Sequence, residues 1–325
     1  MSDYHVVITT STFGLYSSEP YEILERSRCR VSRRVGNPRW TEAQMIDLVH
    51  DADALVVGTE PVTEAVLDAA PRLRIVARCG TGYDTVSVQA ARQRGIVVTY
   101  TPGANNEAVA DMAMGLILAL ARQILQEDAS VRAGEWRRMP AVDVWRKTLG
   151  VIGLGGTGKS LLKRAVGFEM RLLAHDVAPD AAFVSKHGVR LLPLDELLRE
   201  ADFVSVHVPL SAQTRGLIGQ RELRLMKSTA FLVNTARGGI VDEGALAEAL
   251  REGIIAGAGV DVFEHEPPGA SPLLSLRNAV LTPHVAGRTP QSITASGVMA
   301  STEVTRTMRG LPPLHPVPDE PSRSA

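Results

Sequence analysis

Thr148–Ile152 is a short apolar run that passes directly into Gly153-Leu154-Gly155-Gly156-Thr157-Gly158-Lys159-Ser160. A strand, a glycine-rich turn and a helix in succession form a βα unit, which aims the backbone N–H groups of the turn at an anion by the helix N-terminus. The octapeptide satisfies two patterns at once. Read as G-x-G-x-x-G it is a dinucleotide fingerprint; read as G-x-x-x-x-G-K-S it is a P-loop. The first implies hydride transfer and the second phosphoryl transfer.

The flanking residues favour the dinucleotide. Such a loop needs an acidic residue at the end of the next strand to accept the ribose hydroxyls. Asp176 follows the strand Arg171–Ala174, at about the twenty-residue spacing expected from the glycines. A P-loop enzyme needs a second acidic strand end to hold Mg²⁺. Asp202 and Asp261 are available, but Asp202 precedes its strand. Lys159 then reads as an ordinary first-turn helix residue. Asp176 would repel a 2′-phosphate and Val177-Ala178-Pro179 offers no arginine to receive one, so the expected cofactor is NAD rather than NADP.

Short apolar runs alternate with helical stretches along the whole chain, the signature of βαβ units around parallel sheets. The expected strands are His5–Thr9, Ala54–Val57, Ile75–Arg78 and Val97–Thr99, then Thr148–Ile152, Arg171–Ala174, Phe203–Val206, Phe231–Asn234, Gly257–Val260 and Val280–Leu281. Helices are expected at Glu19–Glu25, Thr41–His50, Asn105–Ala121, Lys159–Gly167 and Gln291–Met308. At 325 residues the chain has room for two domains. The fold expected is α/β: two doubly wound parallel-sheet domains, flavodoxin-like and Rossmann-like, with an active-site cleft between them. Residues 1–101 and 285–325 form a discontinuous substrate-binding domain, and 102–284 an NAD-binding domain, with hinges near Pro102 and Pro283. Residues 122–147, rich in Arg and Trp, read as a dimerisation arm. The Pro-rich stretch from Leu311 onward reads as a disordered end.

A formal net charge of −1 leaves no electrostatic footprint for nucleic acid or an anionic membrane. The arginines from Arg26 to Arg39 therefore read as a solvated face. Two cysteines, Cys29 and Cys79, cannot build a metal cage or a disulfide framework, so no metal is expected and a reducing compartment is. The N-terminus lacks a signal-peptide pattern, and the longest apolar run, Ala108–Ala121, carries Asp111 and is shorter than a bilayer span. A cytoplasmic location is expected.

Three residues with catalytic potential follow the ends of three strands in the second half: Arg237 after Phe231–Asn234, Glu266 after Gly257–Val260, and His284 after Val280–Leu281. Carboxyl ends of parallel strands are where open α/β sheets bind ligands. Together with Asp176, the segments Arg237-Gly238-Gly239, Asp261-Val262-Phe263-Glu264-His265-Glu266-Pro267 and Thr282-Pro283-His284 resemble the NAD-dependent D-isomer-specific 2-hydroxyacid dehydrogenase family. So do Gly80-Thr81-Gly82-Tyr83-Asp84, Thr101-Pro102-Gly103-Ala104-Asn105 and His207-Val208-Pro209-Leu210. The resemblance runs from about Ala54 to about Gly287.

The resemblance implies roles. His284 would exchange a proton with the substrate oxygen. Glu266 would hydrogen-bond the far side of that imidazole and raise its pKa. Arg237 would hold the substrate carboxylate and polarise the carbonyl. Backbone amides of the Cys79-Gly80-Thr81 turn would complete the carboxylate site, and Arg78, or Arg138 reaching across a dimer, would stand in for a phosphate-binding arginine. The cofactor would be held by Thr81, Gly153, Gly155, Gly156, Thr157, Gly158, Asp176, Val208, Pro209, Thr235, Ala236, Arg237, Asp261, His284, Ala286 and Gly287. His207 would lie on the adenine side with no acid/base role. One departure stands out: most relatives carry Arg-Ile where this chain has Gly156-Thr157, which removes one side-chain contact to the pyrophosphate.

The substrate expected is a small anionic 2-hydroxy or 2-keto acid. Phosphoglycerate is the leading reading, with hydroxypyruvate, glyoxylate or another 2-keto acid as the alternative. Phosphoglycerate dehydrogenases often carry an arginine after the strand that here ends in Val57-Gly58-Thr59-Glu60; it is absent, and Glu60 would be unhelpful to an anion. A non-catalytic NAD-sensing corepressor is the reading from a different class. Such a protein should lack one of Arg237, Glu266 and His284, and all three are present. Trp136, Arg137, Arg138 and Trp145 suggest that the arm packs on a second subunit, making a homodimer.

Overall fold

In the computed structural model, which describes residues 4–34 and 40–318, the short apolar runs become parallel strands. The chain forms two units. One combines the described residues up to Asn105 with those from Arg288 onward; the other runs from Asn106 to Gly287.

The first unit alternates β1 (Tyr4–Ile8), α1 (Glu19–Arg26), β2 (Cys29–Arg33), α2 (Glu42–Leu48), β3 (Ala54–Val57), α3 (Glu64–Asp68), β4 (Ile75–Arg78), α4 (Val88–Gln93) and β5 (Val97–Thr99). Its sheet has the order β2-β1-β3-β4-β5, every pair parallel. This is the flavodoxin-like order, whose switch point lies between β1 and β3. β3 and β4 are buried at every residue, as strands covered on both faces must be. Local signals set the helix starts: Thr41 caps α2 in a reciprocal box with Gln44, and Thr63 Oγ1 accepts from the Val66 N–H.

The second unit contains α5 (Asn106–Ala121), α6 (Ile124–Arg132), β6 (Thr148–Ile152), α7 (Gly156–Val166), β7 (Arg171–His175), α8 (Ala181–His187), β8 (Arg190–Leu191), α9 (Leu194–Glu200), β9 (Phe203–Val206), α10 (Gln220–Leu225), β10 (Phe231–Asn234), α11 (Glu243–Arg251), β11 (Gly257–Val260) and β12 (Ala279–Leu281). The order β12-β11-β10-β9-β6-β7-β8 is again wholly parallel. It reverses between β6 and β9, the crevice in which doubly wound sheets bind dinucleotides. Phe203 and Phe231 stack at 5.4 Å inside this sheet, a pairing that adds about 1 kcal/mol to the area they bury. α12 (Pro290–Met308), capped by Thr289, returns the chain to the first unit.

One reading from the sequence is incomplete and another needs correction. The arginine-rich segment is exposed at Arg26, Arg28, Arg30, Arg33 and Arg34, as a solvated face should be, but it also contains β2, an unexpected edge strand that buries Cys29. Charged residues on an edge strand discourage pairing with another chain, and their run hid the strand's alternation; Arg39 lies outside the described residues. Leu311–Pro318 is ordered against its unit. Glu303, fully buried on α12, accepts from the N–H groups of Leu314 and His315 and lies 2.8 Å from His315 Nδ1. Val317 donates to the Val98 carbonyl, and Pro316 bridges Thr99 antiparallel to β5. A buried carboxylate and a free sheet edge capture the segment despite its composition. The remainder of that tail lies outside the described residues.

No single helix among the described residues is long and apolar enough to cross a membrane.

Candidate active site

The glycine turn sits at the switch point of the second sheet. Gly153 follows β6 with φ of +97°, and a Cβ there would lie 2.7 Å from the His207 carbonyl, so only glycine lets this turn close on the end of β9. α7 begins at Gly156, three positions before the start expected from the sequence, so its first amides rise directly from the glycines. Asp176, just beyond β7, accepts from the Leu154 N–H at 2.6 Å and from the Ala178 N–H at 2.7 Å. Its carboxylate is thereby held against the turn.

The P-loop alternative fails on geometry. Lys159 Nζ binds Asp180 at 2.7 Å and leans toward the Phe183 ring, and the Ser160 hydroxyl donates to Glu107 at 2.7 Å. The lysine and the hydroxyl that would serve phosphates and Mg²⁺ are committed elsewhere. Asp202 pairs with Lys227 and accepts from the Thr148 N–H. Among the described residues no group of three or more His, Cys, Asp or Glu could hold a metal ion.

The second unit brings Arg237, Glu266 and His284 to its carboxyl edge. His284 has φ of +53°, a costly conformation for a side chain of this size, and its N–H donates to the Asp261 carbonyl at 2.8 Å. Its Nδ1 lies 2.8 Å from Glu266 Oε2 and 3.0 Å from Oε1. An ionised carboxylate only accepts, so Nδ1 carries the proton and Nε2 is the ring nitrogen turned away from Glu266. Burial pushes the Glu266 carboxyl up. The hydrogen bond and charge of His284, the Phe263 N–H and the charge of Arg237 outweigh this and hold it below its ordinary value.

Two residues organise this edge in ways that the sequence did not disclose. Asp261, fully buried, accepts from the Thr282 hydroxyl and from the Val285 and Ala286 N–H groups at 2.9 Å, so its carboxylate builds the loop that carries His284. Asn234 accepts from the Ala236 N–H and donates to the Arg237 carbonyl, setting the turn that presents Arg237. Neighbouring turns were visible in the sequence. That these side chains close hydrogen bonds across them was not.

His207 Nε2 lies 2.8 Å from the buried Ser205 hydroxyl, and burial pulls its pKa down to about 4, so it stays neutral near pH 7. Val208 and Pro209 follow it beside the glycine turn, and Thr214 donates to the Pro209 carbonyl. Thr235 is buried with no partner for its hydroxyl among the described residues. An orphan hydroxyl, a glycine cradle and the acidic β7 end fit a dinucleotide.

In the first unit, Thr81 donates to Asn105 at 2.9 Å. Arg78 is buried and donates to the Cys79 carbonyl beside Gly80, while the Cys79 thiol points to the Ser296 carbonyl. Arg138 is exposed after α6.

With phosphoryl transfer set aside, a glycine turn at the switch point and a His284–Glu266 pair on the same carboxyl edge of the sheet suit dinucleotide-dependent oxidoreduction. The sequence model of the D-isomer specific 2-hydroxyacid dehydrogenase NAD binding domain matches residues 114–286. A glyoxylate reductase of Korarchaeum cryptofilum is 43% identical over 307 residues, 90% of this chain and 92% of that one. A D-3-phosphoglycerate dehydrogenase of Methanocaldococcus jannaschii is 42% identical over 275 residues, 83% of this chain and 52% of that protein, about half its length. The crystal structure of a glyoxylate reductase from Paecilomyes thermophila superposes with a TM-score of 0.87 at 29% identity, covering 98% of this chain and 99% of that one. The chain belongs to the D-isomer specific 2-hydroxyacid dehydrogenase family. It is an NAD-dependent oxidoreductase acting on CH–OH donors.

Proposed function

We propose that this enzyme reduces small 2-keto acids that carry no second negative charge, glyoxylate being the simplest. NAD supplies the hydride when bound in its reduced form. Arg237 holds the substrate carboxylate through its planar fork, and His284 in its doubly protonated form gives the Nε2 proton to the carbonyl oxygen, keeping the Nδ1 proton in its hydrogen bond to Glu266. Glu266 keeps the imidazole oriented and balances its charge. The Arg78-Cys79-Gly80 turn adds to substrate binding, and the turns at 153–158, 207–209, 234–237 and 282–287, with Asp176, hold the cofactor.

The observation that carries the substrate class is Glu60. It follows β3 at the switch point of the first sheet, where the Gly58 N–H donates to its carboxylate. Burial pushes its carboxyl up; backbone hydrogen bonds, the charge of Arg78 and a contact with Thr9 offset this only in part. A half-buried carboxyl at a ligand-binding edge disfavours a phosphate and accepts a hydroxyl. The two glyoxylate reductases named above support the same reading.

Phosphoglycerate, the leading reading from the sequence, becomes the second, favoured by the M. jannaschii relative and by Arg78. That guanidinium is turned back on the Cys79 carbonyl. Steady-state rates with NADH and glyoxylate, hydroxypyruvate or phosphohydroxypyruvate decide between them. The proposal expects kcat/KM for the phosphorylated acid to be at least about tenfold lower, since an anion would meet Glu60. A preference for the phosphorylated acid overturns it.

Exposed apolar side chains on the arm support a homodimer. Trp136 is 78% exposed and Trp145 52%, and Ile124, Leu125 and Val131 are also about half exposed, apolar side chains that a second copy would cover. Sedimentation equilibrium tests this, with a monomer as the contrary outcome. Two free cysteines suit a reducing compartment such as the cytoplasm.

A further inference from the structure

The missing side chain at Gly156 has a structural counterpart. A Cβ built on Gly156 would lie 1.9 Å from Asn106 Nδ2, 2.7 Å from its Cγ and 3.2 Å from its Oδ1. The amide of Asn106 therefore fills the space through which a side chain at residue 156 would leave the backbone. It is the first residue of α5, a helix distant in sequence from the glycine turn.

Its orientation is set from two sides. The Thr157 hydroxyl donates to Asn106 Oδ1 at 3.3 Å, which turns Nδ2 toward Gly156 and the first turn of α7. The next residue, Glu107, accepts from the Ser160 hydroxyl at 2.7 Å and from Arg164 at 2.7 Å, and Arg164 also binds Asp111 at 2.7 Å. These bonds clamp the start of α5 to α7. Asn106 is held where it stands before any ligand arrives, the preorganisation that a binding contact requires.

We propose that Asn106 is a cofactor-binding residue whose side-chain amide donates to the dinucleotide pyrophosphate in place of an arginine at residue 156. The exchange swaps a charged, bidentate donor for a neutral one, so the contact is weaker and less sensitive to salt. Asn106 and Gly156 then form a matched pair: a side chain at 156 forces the asparagine amide out of its place, and the amide keeps that place only beside glycine.

The test is the dissociation constant of NADH, read from its fluorescence without substrate, in four variants, with unliganded melting temperature as the control. Asn106→Ala should weaken NADH binding by about three- to tenfold, the loss of one hydrogen bond, with little change in melting. Asn106→Asp should weaken it further by facing the pyrophosphate with a like charge. Gly156→Arg alone should also weaken binding, because its Cβ meets Asn106. Gly156→Arg combined with Asn106→Ala should recover wild-type affinity or better and become more salt-dependent. An unchanged constant in Asn106→Ala overturns the proposal. So does a loss that tracks lowered melting in every variant, or a double variant no tighter than the product of the single effects.

Discussion

His284 Nδ1 lies 2.8 Å from Glu266 Oε2, and the two side chains are equally exposed at 34%. One face of the imidazole is therefore occupied by a carboxylate while the other remains open to a reacting oxygen. The pairing joins the loop after β11 to the loop after β12, so it exists only once those strands are neighbours.

Replacing His284 with Asn should lower kcat for keto-acid reduction by about 10²- to 10⁴-fold, the usual contribution of a positioned acid or base. NADH affinity should stay within about twofold. Glu266→Gln keeps the shape and loses the charge, and should cost at least about tenfold in kcat. Because the Glu266 carboxyl is held below its ordinary value, the carboxylate that accepts from His284 is ionised above the usual carboxylate range, and its contribution is lost only as pH falls through the lowered value. A full-activity His284→Asn enzyme would contradict the assignment.

Cofactor choice should follow Asp176. Its carboxylate beside the glycine turn meets a 2′-phosphate with like charge, so NADH should bind about a hundredfold more tightly than NADPH. Asp176→Ser should reduce that ratio chiefly by improving NADPH. Titration of both cofactors into both proteins checks this; equal wild-type affinities would show that the carboxylate does not discriminate.

Acid should destabilise the fold through His207. Its folded pKa is about 4 against 6.5 for an exposed imidazole, so the folded form binds fewer protons between those values. Its contribution is present in full above pH 6.5 and lost as pH falls toward 4, about 3 kcal/mol in all for a buried group. Urea unfolding at pH 7 and pH 5 should show the loss, and His207→Asn should show less of it. Identical pH dependence in the two proteins would remove His207 as the cause.

Neither thiol should react in the native state. Burial pushes the Cys79 thiol up to about 12, the charge of Arg78 offsetting this and that of Glu60 adding to it, and Cys29 is buried in its own core. Thiolate is the reactive species, so an aromatic disulfide reagent at pH 8 should label neither until the chain is unfolded. Rapid native labelling would show that the first unit opens around β4.

Much of the site was legible because its residues follow strands whose apolar runs are unmistakable. Arg237, Glu266 and His284 each stand just past such a run, and parallel sheets place those ends on one edge. β2 was not legible, since Arg30 and Arg33 mask its alternation, and the Leu311–Pro318 segment shows no apolar period at all. Both are held by partners remote in the chain, β1 for one and Glu303 with β5 for the other.

The sequence alone determined the strand–turn–helix unit at Gly153–Ser160, the alternation of strands and helices, and the family. These rest on local spacing, which chain geometry translates directly into structure. Only the tertiary structure decided that Lys159 faces Asp180 rather than phosphate, that Asp261 and Asn234 build the catalytic loops, and that Asn106 fills the space above Gly156. Those outcomes depend on which side chains the sheet order brings within hydrogen-bond reach, and spacing along the chain does not specify that.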